Sequence, residues 1–444
     1  MNFIADLYLK TRFFIGIAAI IICFILGAFY PLFFVLAKIL LVIYLLFVIC
    51  DVSTLVVGKN AIRVERKFNP VFSLDYSNPV NLTIHNQTKR NFFAHVYDEV
   101  PQRFAEYTKA SFKSILLSNE ETKLKYYINP NHRGKYHFSD VRVFIASKFQ
   151  LFERKFLFES AAEVKVYPSI MLMKKYQLSA IEFDSMELGL KKQRKVGLNS
   201  EFDQIQPYLK GDDVRTINWK ATAKVGSLMV NKFIEERSQS VYTLVDCSRS
   251  TLLPFHNLSL LEHAVNTALV ISNIALQKQD KAGLLLFHKK PIHFIKANQD
   301  RLTLNKIIET LYNAESSETE ANYESLYFHI KTQIKQRSLL ILITNFDHLV
   351  AMERALPILR LINKNHLLVT VLFNDVELEE KSMEVATTTK DIFAQAFAQK
   401  FVRNKKEIAH ALKSHGIHTI LTNPQDLLVN TINKYLELKS RGLI

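Results

Sequence analysis

Two apolar stretches, Phe13 to Phe29 and Leu32 to Cys50, open the chain, parted only by Tyr30-Pro31. Each is close to the ~20 residues a helix needs to cross the ~30 Å hydrocarbon core of a bilayer, so the pattern predicts a transmembrane helical hairpin. A secretory signal is the competing reading, but no small-residue cleavage site precedes the second stretch and the pair is too long for one signal core. Lys38 is the one charge inside the spans, with a stem long enough to snorkel toward the Tyr30-Pro31 end. Lys10 and Arg12 precede the hairpin, Lys59, Arg63, Arg66 and Lys67 follow it, and the turn carries no charge. By the positive-inside rule both ends face the cytosol, which predicts a multi-pass protein of the inner (cytoplasmic) membrane with its soluble domains in the cytoplasm.

Beyond the hairpin the periodicity changes twice. From 58 to 168 short alternating runs such as Val80 to His85, Phe92 to Tyr97, Lys123 to Ile128 and Val141 to Ile145 are separated by turn formers, including Ser77-Asn78-Pro79 and Asn131-His132-Arg133-Gly134. Short strands at such spacing predict an antiparallel β-sandwich. Beyond 240, strand-like runs at Leu284 to Phe287, Leu339 to Thr344, Leu367 to Phe373 and Ile417 to Leu421 alternate with helical patterns at Leu258 to Leu276, Arg301 to Tyr312, Tyr323 to Lys335 and Val350 to Asn363. That alternation predicts a doubly wound α/β sheet. The expected organisation is therefore an α+β multidomain chain: a hairpin anchor over 1–57, a β-sandwich over 58–168, a linker region over 169–240 and an α/β domain over 241–444.

The α/β domain begins with the apolar run Val241-Tyr-Thr-Leu-Val, which ends in Asp246-Cys247-Ser248-Arg249-Ser250. Polar residues at the carboxyl end of a buried strand sit where α/β sheets place ligands. A carboxylate and two hydroxyls on alternate residues are hard oxygen donors, which makes Asp246, Ser248 and Ser250 a candidate site for Mg²⁺ or Mn²⁺. The same residues also satisfy backbone donors at a following helix start, a role that requires no ion.

Charge and cysteine content narrow the function. The formal net charge is +15, and residues 1–57 contribute only three basic and two acidic side chains to it. A basic body on a short tether is drawn to anionic headgroups. A nucleic-acid binder would concentrate Lys and Arg with aromatics on one module, whereas the densest cluster here is the short run Lys191-Lys192-Gln193-Arg194-Lys195. Of the three cysteines, Cys23 and Cys50 lie in or at the end of the spans and Cys247 stands alone in the soluble part, so no disulfide framework is available there. No phosphate loop, nucleophile elbow, His-Glu-x-x-His helix or Cys-x-x-Cys pair occurs, which points away from an enzyme. The surviving catalytic alternative is a metal-dependent, phosphatase-like hydrolase using Asp246, although the position where such enzymes need a second carboxylate is Ser248.

The passage from Glu201 to Lys224 holds the only Trp, a Gly-Asp turn and an Arg. Phe202, Tyr208, Gly211, Asp212, Arg215, Ile217, Trp219 and Ala223 stand at the spacing of the hallmark of domain of unknown function 58, and the chain closely resembles that family of membrane-anchored bacterial proteins. Tyr127 to Tyr136, Phe149 to Phe152 and Val166-Tyr167-Pro168 extend the likeness upstream. Two departures stand out: Ser147-Lys148-Phe149-Gln150 replaces an Asp-Pro-Phe-Gly turn, and Thr344-Asn345 replaces a Ser-Asp pair. The resemblance implies a von Willebrand factor A-like (Rossmann-like) domain that binds protein partners. In a complete site of that type a second-loop Thr and a third-loop Asp would join Asp246, Ser248 and Ser250. Here Thr319 is the best second-loop candidate, and Asn345 stands in the third loop with Asp347 two residues on, so the implied metal site is degenerate. The resemblance also implies a MoxR-type AAA+ ATPase as partner, hence a non-catalytic membrane adaptor in protein assembly or activation. Asp212 and Arg215 are the candidate docking residues; the competing reading makes the passage a structural linker, with Trp219 anchored on the core.

Overall fold

The computed structural model describes residues 6–58, 61–106, 108–176, 196–210, 212–234, 238–255, 258–384 and 388–443, with side chains left aside at 196–203 and 232–234. The Lys191 to Lys195 cluster and Gly211 lie outside the described residues. The chain divides into two compact units, 1–167 and 168–444.

The first unit contains β1 (Leu7–Leu9), α1 (Thr11–Gly27), α2 (Pro31–Thr54), β2 (Ile62–Phe68), β3 (Val71–Ser73), β4 (Asn78–Asn86), β5 (Phe92–Asp98), α3 (Gln102–Ala105), β6 (Ser111–Leu116), β7 (Glu121–Ile128), β8 (Gly134–Phe138), β9 (Val141–Ala146), β10 (Phe152–Phe158) and β11 (Ala162–Tyr167). Among the described residues one helix, α2, is long and apolar enough to cross a membrane, and α1 is a shorter apolar helix. At 24 residues α2 spans about 36 Å, more than the ~30 Å hydrocarbon core. Pro31 opens α2 at a position where a missing N–H costs nothing. Gly27 permits the tight return, since a Cβ there would lie 2.8 Å from the Phe34 backbone nitrogen. The Tyr44 hydroxyl ties the two helices by donating to the Phe13 carbonyl at 2.8 Å. Lys38 points as expected, its ammonium 4.5 Å from the ring centre of Phe34, one turn toward Pro31.

The β-rich remainder forms three sheets with orders β1-β10-β9-β5-β6, β2-β4-β7 and β3-β11-β8. The expected strands at 80–85, 92–97, 123–128 and 141–145 all form. Their inward residues, among them Val80, Leu82, Ile84, Val96, Val143 and Ile145, are fully buried on alternate positions. A buried ion pair joins two of the sheets: Arg66 on β2 meets Asp98 on β5 at 2.5 Å, and the Tyr126 hydroxyl on β7 donates to the same carboxylate at 2.5 Å. Burial raises the Asp98 carboxyl, and these two donors offset only part of that rise.

The apolar helices are bonded to the β-rich part. β1, which precedes α1, pairs antiparallel with β10, Leu7 lying opposite Arg154. Asp51, in the last turn of α2, is fully buried and accepts hydrogen bonds from the Ser147 hydroxyl at 2.5 Å, the Phe149 amide at 3.0 Å and the Leu151 amide at 3.2 Å. Arg154 answers from β10 by donating to the carbonyls of Leu55 and Val57. These bonds hold the Ser147 to Gln150 turn, where Gln150 adopts a φ of 61°.

The second unit starts with α4 (170–176), then β12 (Val196–Pro207), α5 (Trp219–Val225) and β13 (Met229–Ile234), β12 and β13 forming an antiparallel ribbon. There follow β14 (Ser240–Asp246), the two-residue strands β15 (Pro254–Phe255) and β16 (Leu258–Ser259), α6 (Leu260–Gln277), β17 (Lys281–Phe287), β18 (Pro291–Asn298), α7 (Arg301–Tyr312), α8 (Tyr323–Gln333) and β19 (Leu339–Thr344). α9 (Leu349–Asn365), β20 (Leu367–Phe373), α10 (Val376–Met383), α11 (Thr389–Ser414), β21 (His418–Thr422) and α12 (Leu427–Ser440) complete it. The main sheet has the order β18-β17-β14-β19-β20-β21, parallel except for β18 at its edge. Residues of α6, α7 and α12 share one apolar core with the sheet, and residues of α8, α9 and α11 share the other. Strands β14, β19 and β20 are covered on both faces, which is why they read as unbroken apolar runs.

Replacing Asp51 with Ala leaves the Phe149 and Leu151 amides without their acceptor, each worth roughly 1–3 kcal/mol, while the Ser147 hydroxyl keeps the Phe152 carbonyl at 3.1 Å. Thermal or denaturant unfolding of the detergent-solubilised chain should show Asp51→Ala losing at least about 2 kcal/mol, with Asp51→Asn losing less. A loss below about 1 kcal/mol would mean that the 147–151 turn holds itself.

Candidate functional site

The strand order reverses at β14: the next strand, β17, lies on one side and β19 on the other. Connections leaving the carboxyl ends of β14 and β19 diverge there and open a crevice. Asp246 is the last residue of β14 and is fully buried at this point of the sheet. Its Oδ1 accepts from the Ser248 amide at 2.9 Å and its Oδ2 from the Thr344 hydroxyl, at the end of β19, at 2.6 Å. Ser248 Oγ lies 3.1 Å from Ser250 Oγ, and the Thr251 hydroxyl closes the turn on the Ser248 carbonyl. The structure thus brings Asp246, Ser248 and Ser250 together in one tight loop.

A second loop arrives through backbone bonds. The Arg249 amide donates to the Thr319 carbonyl at 3.0 Å and the Ser317 amide to the Cys247 carbonyl at 2.8 Å, while the Thr319 hydroxyl faces Ser317 Oγ at 2.9 Å. The third loop arrives through Asn345, whose Nδ2 donates to the Ser250 carbonyl at 3.1 Å. Its Oδ1 accepts from the ammonium of Lys405 at 2.5 Å, and the same ammonium donates to the Phe346 carbonyl at 2.7 Å. Lys405 comes from α11 and is only 3% exposed. Tyr323, at the start of α8, places its hydroxyl 2.8 Å from Thr344 Oγ1 and extends the network behind Asp246.

Burial dominates the electrostatics. It raises the Asp246 carboxyl against the hydrogen bonds from Thr344 and Ser248, with Asp347 adding a further upward push. It raises the Tyr323 phenol well above its ordinary value, and it drives the Lys405 ammonium down to about 8, with Asp347 and Asp375 opposing that fall. A hard dication takes most of its binding energy from carboxylates. Asp246 is the single carboxylate of the first loop, the third-loop oxygen is an amide already committed to an ammonium, and Thr319 turns its hydroxyl toward Ser317. This donor set does not fit Mg²⁺ or Mn²⁺.

The Gly-Asp passage is held by its own backbone. Asp212 Oδ2 accepts from the Leu209 amide at 2.9 Å, and Asp213 Oδ1 accepts from the Arg215 amide at 3.0 Å at the start of the single 3₁₀ turn Val214–Thr216. Asn218 caps α5 by accepting from the Ala221 amide, and Gly226 ends it at a φ of 75°, in the left-handed region that favours glycine. The expectation that Trp219 anchors the passage on the core is corrected: the indole is 69% exposed, beside an equally open Leu209 (65%) and Val214 (63%). α5 turns its first residue outward, and no residue of that helix is buried.

Residues 204–388 match the family described as "Protein of unknown function DUF58". That stretch of the chain is similar to the DUF58 family. It begins within β12 and takes in the Gly-Asp passage, the Asp246 loop and Asn345, and it ends before Lys405. No curated protein matches the chain. Among solved structures, the conserved hypothetical protein BatB from Bacteroides thetaiotaomicron is 13% identical over 46% of this chain and 99% of its own, with a TM-score of 0.29. An uncharacterised membrane-spanning protein from Vibrio fischeri is 15% identical over 45% of this chain and 99% of its own, with a TM-score of 0.16. The CARDB domain of a Pyrococcus furiosus protein is 16% identical over 24% of this chain and 86% of its own, with a TM-score of 0.17. TM-scores this low assign neither fold nor function.

Sequence reasoning missed three members of the network around Asp246: Thr344 as its partner, Tyr323 behind it, and Lys405. The signal for Lys405 was present. In α11 the buried positions are Ala398, Val402, Lys405, Ile408, Ala409 and Leu412, so the lysine takes a core position in a helical repeat.

The Lys405 proton gives a pH test. Its folded value of about 8 lies below the ordinary 10.5, so between these two pH values the unfolded chain binds the proton more tightly, and folding gains as pH rises through that window. The melting temperature of wild type relative to Lys405→Met should climb over this interval and level off on either side. A flat or falling difference would mean that burial does not penalise the ammonium.

Proposed function

We propose that this chain is a non-catalytic adaptor, anchored in the cytoplasmic membrane by the α1–α2 hairpin, with both soluble units in the cytosol. Its second unit is read as a von Willebrand A-like domain that recruits a MoxR-type AAA+ ATPase for protein assembly or activation. The antiparallel pairing within two of the three sheets of the first unit, β1-β10-β9-β5-β6 and β2-β4-β7, supports a β-sandwich. The single antiparallel edge strand and the Asp246 loop at the reversal of strand order support the A-like reading of the second.

The observation that carries the proposal is the open Trp219. Large apolar side chains clustered in solvent mark interaction sites, and Trp and Arg are the residues most enriched among those that dominate binding energy. Trp219, Leu209, Val214 and Arg215 are all exposed, they lie on one short stretch, and that stretch falls within the DUF58 match. Asp212 and Asp213 hold its turns through backbone amides, which shapes the surface without covering it. Against the phosphatase-like alternative stands the environment of Asp246: an attacking carboxylate must reach its substrate, whereas Asp246 has no exposed surface and a hydrogen bond on each oxygen.

Capture of the ATPase from gently solubilised membranes should fall at least tenfold for Trp219→Ala and for Arg215→Ala, while stability stays within about 0.5 kcal/mol of wild type, the usual range for an exposed substitution. Unchanged capture with both variants would remove the docking role. Topology has its own check: in intact cells, cysteines introduced beyond Asp51 should resist impermeant labels and become reactive on permeabilisation. Labelling from outside would overturn the cytosolic orientation and the ATPase partnership with it.

A further inference from the structure

The carboxyl edge of the main sheet carries a buried ammonium that belongs to the protein itself. Lys405 projects from α11, is nine-tenths or more buried, and spends its ammonium on Asn345 Oδ1 and the Phe346 carbonyl. Asn345 in turn donates to the carbonyl of Ser250, in the Asp246 loop. The chain of contacts therefore runs from a cation, through the third loop, to the first loop, the ammonium itself touching only Asn345 and Phe346 and reaching Ser250 through the Asn345 side chain. The residue types agree with this arrangement. An Asp at 345 beside Lys405 would form a buried ion pair and compete for the cation, whereas the neutral amide of Asn345 accepts from the ammonium through oxygen and still donates to Ser250 through nitrogen. Asp347, half-buried two residues on, and Asp375, which caps α10, supply the nearby negative charge that keeps the lysine protonated.

We propose that Lys405 takes the place of a divalent cation at this loop cluster, so that the Asp246 and Asn345 loops are held in register by an internal ammonium and this end of the domain is independent of metal. Lys405 is a positioning residue: it acts on the Ser250 loop through Asn345. The proposal rests on reading the Asp246 turn as a metal-type loop and not on the identity of any partner.

The experiment uses the full chain in detergent, treated with chelator and melted with and without millimolar Mg²⁺ or Mn²⁺. Wild type should melt at the same temperature in both conditions. Asn345→Asp alone should also be insensitive, because Lys405 neutralises the new carboxylate. Asn345→Asp combined with Lys405→Met removes the ammonium and adds the missing acid, and its melting temperature should rise with Mg²⁺ or Mn²⁺ in a saturable way, since a ligand that binds only the folded form stabilises it. Adding Asp246→Asn to that double variant should abolish the rise. A lysine that merely filled space would not produce this gain of metal response. A saturable Mg²⁺ shift in wild type that Asp246→Asn removes would overturn the proposal, as would a folded double variant that ignores both ions. If the double variant does not fold, the wild-type and Asn345→Asp arms decide: a metal shift in either one refutes the internal cation.

Discussion

A carboxylate shut away from water must be given its hydrogen bonds by the protein, and at the end of β14 this requirement organises the whole carboxyl edge of the sheet. Asp246 takes one bond from its own loop and one from Thr344 on the adjacent strand. Leaving either oxygen without a donor would expose a buried charge to the full cost of desolvation. The parallel register of β14 and β19 sets the two strand ends side by side, and Thr344 fixes where the β19–α9 connection departs. Position 345 follows directly, and with it the approach of α11.

Burying a second charge close by is the next consequence. Two isolated buried ions would each be prohibitive, but an ammonium with two well-placed acceptors and nearby carboxylates is tolerable. The low value to which burial drives Lys405 shows that compensation is incomplete. A residue kept at such a cost does more than fill volume: a leucine or methionine on the same helical face would leave Asn345 Oδ1 and the Phe346 carbonyl without their donor. The lysine instead joins a long surface helix to the loops of the crevice, so a disturbance at either one is felt by the other.

Much of this architecture is legible in the sequence, and the exceptions have physical causes. Strands covered on both faces, such as Leu339 to Thr344, announce themselves as apolar runs, and amphipathic helices such as Arg301 to Tyr312 do so by period. β18 was not anticipated because an edge strand with Pro, His and Lys along one half-exposed ribbon lacks a clean alternation. α11 was hidden by the polar residue in its buried repeat. Trp219 was misjudged because a large indole ordinarily belongs inside, and sequence spacing says little about which way a two-turn helix faces. The Asp246, Ser248 and Ser250 cluster was readable from alternate spacing alone, whereas its partners at 323, 344 and 405 lie far along the chain, where only the fold brings them close.

The bonds at the base of the hairpin bear on the order of events during synthesis. Strand β1 and Asp51 emerge from the ribosome early, yet both find their partners only between Ser147 and Arg154. Chain growth at roughly 5–20 residues per second leaves them waiting for several seconds. During that interval the apolar helices are complete while the turn that caps them does not yet exist, and Asp51 is a bare carboxylate at the foot of a greasy helix. Folding of the β-rich part then closes over this charge, so that β10 and the turn before it lock the first strand and the anchor into place.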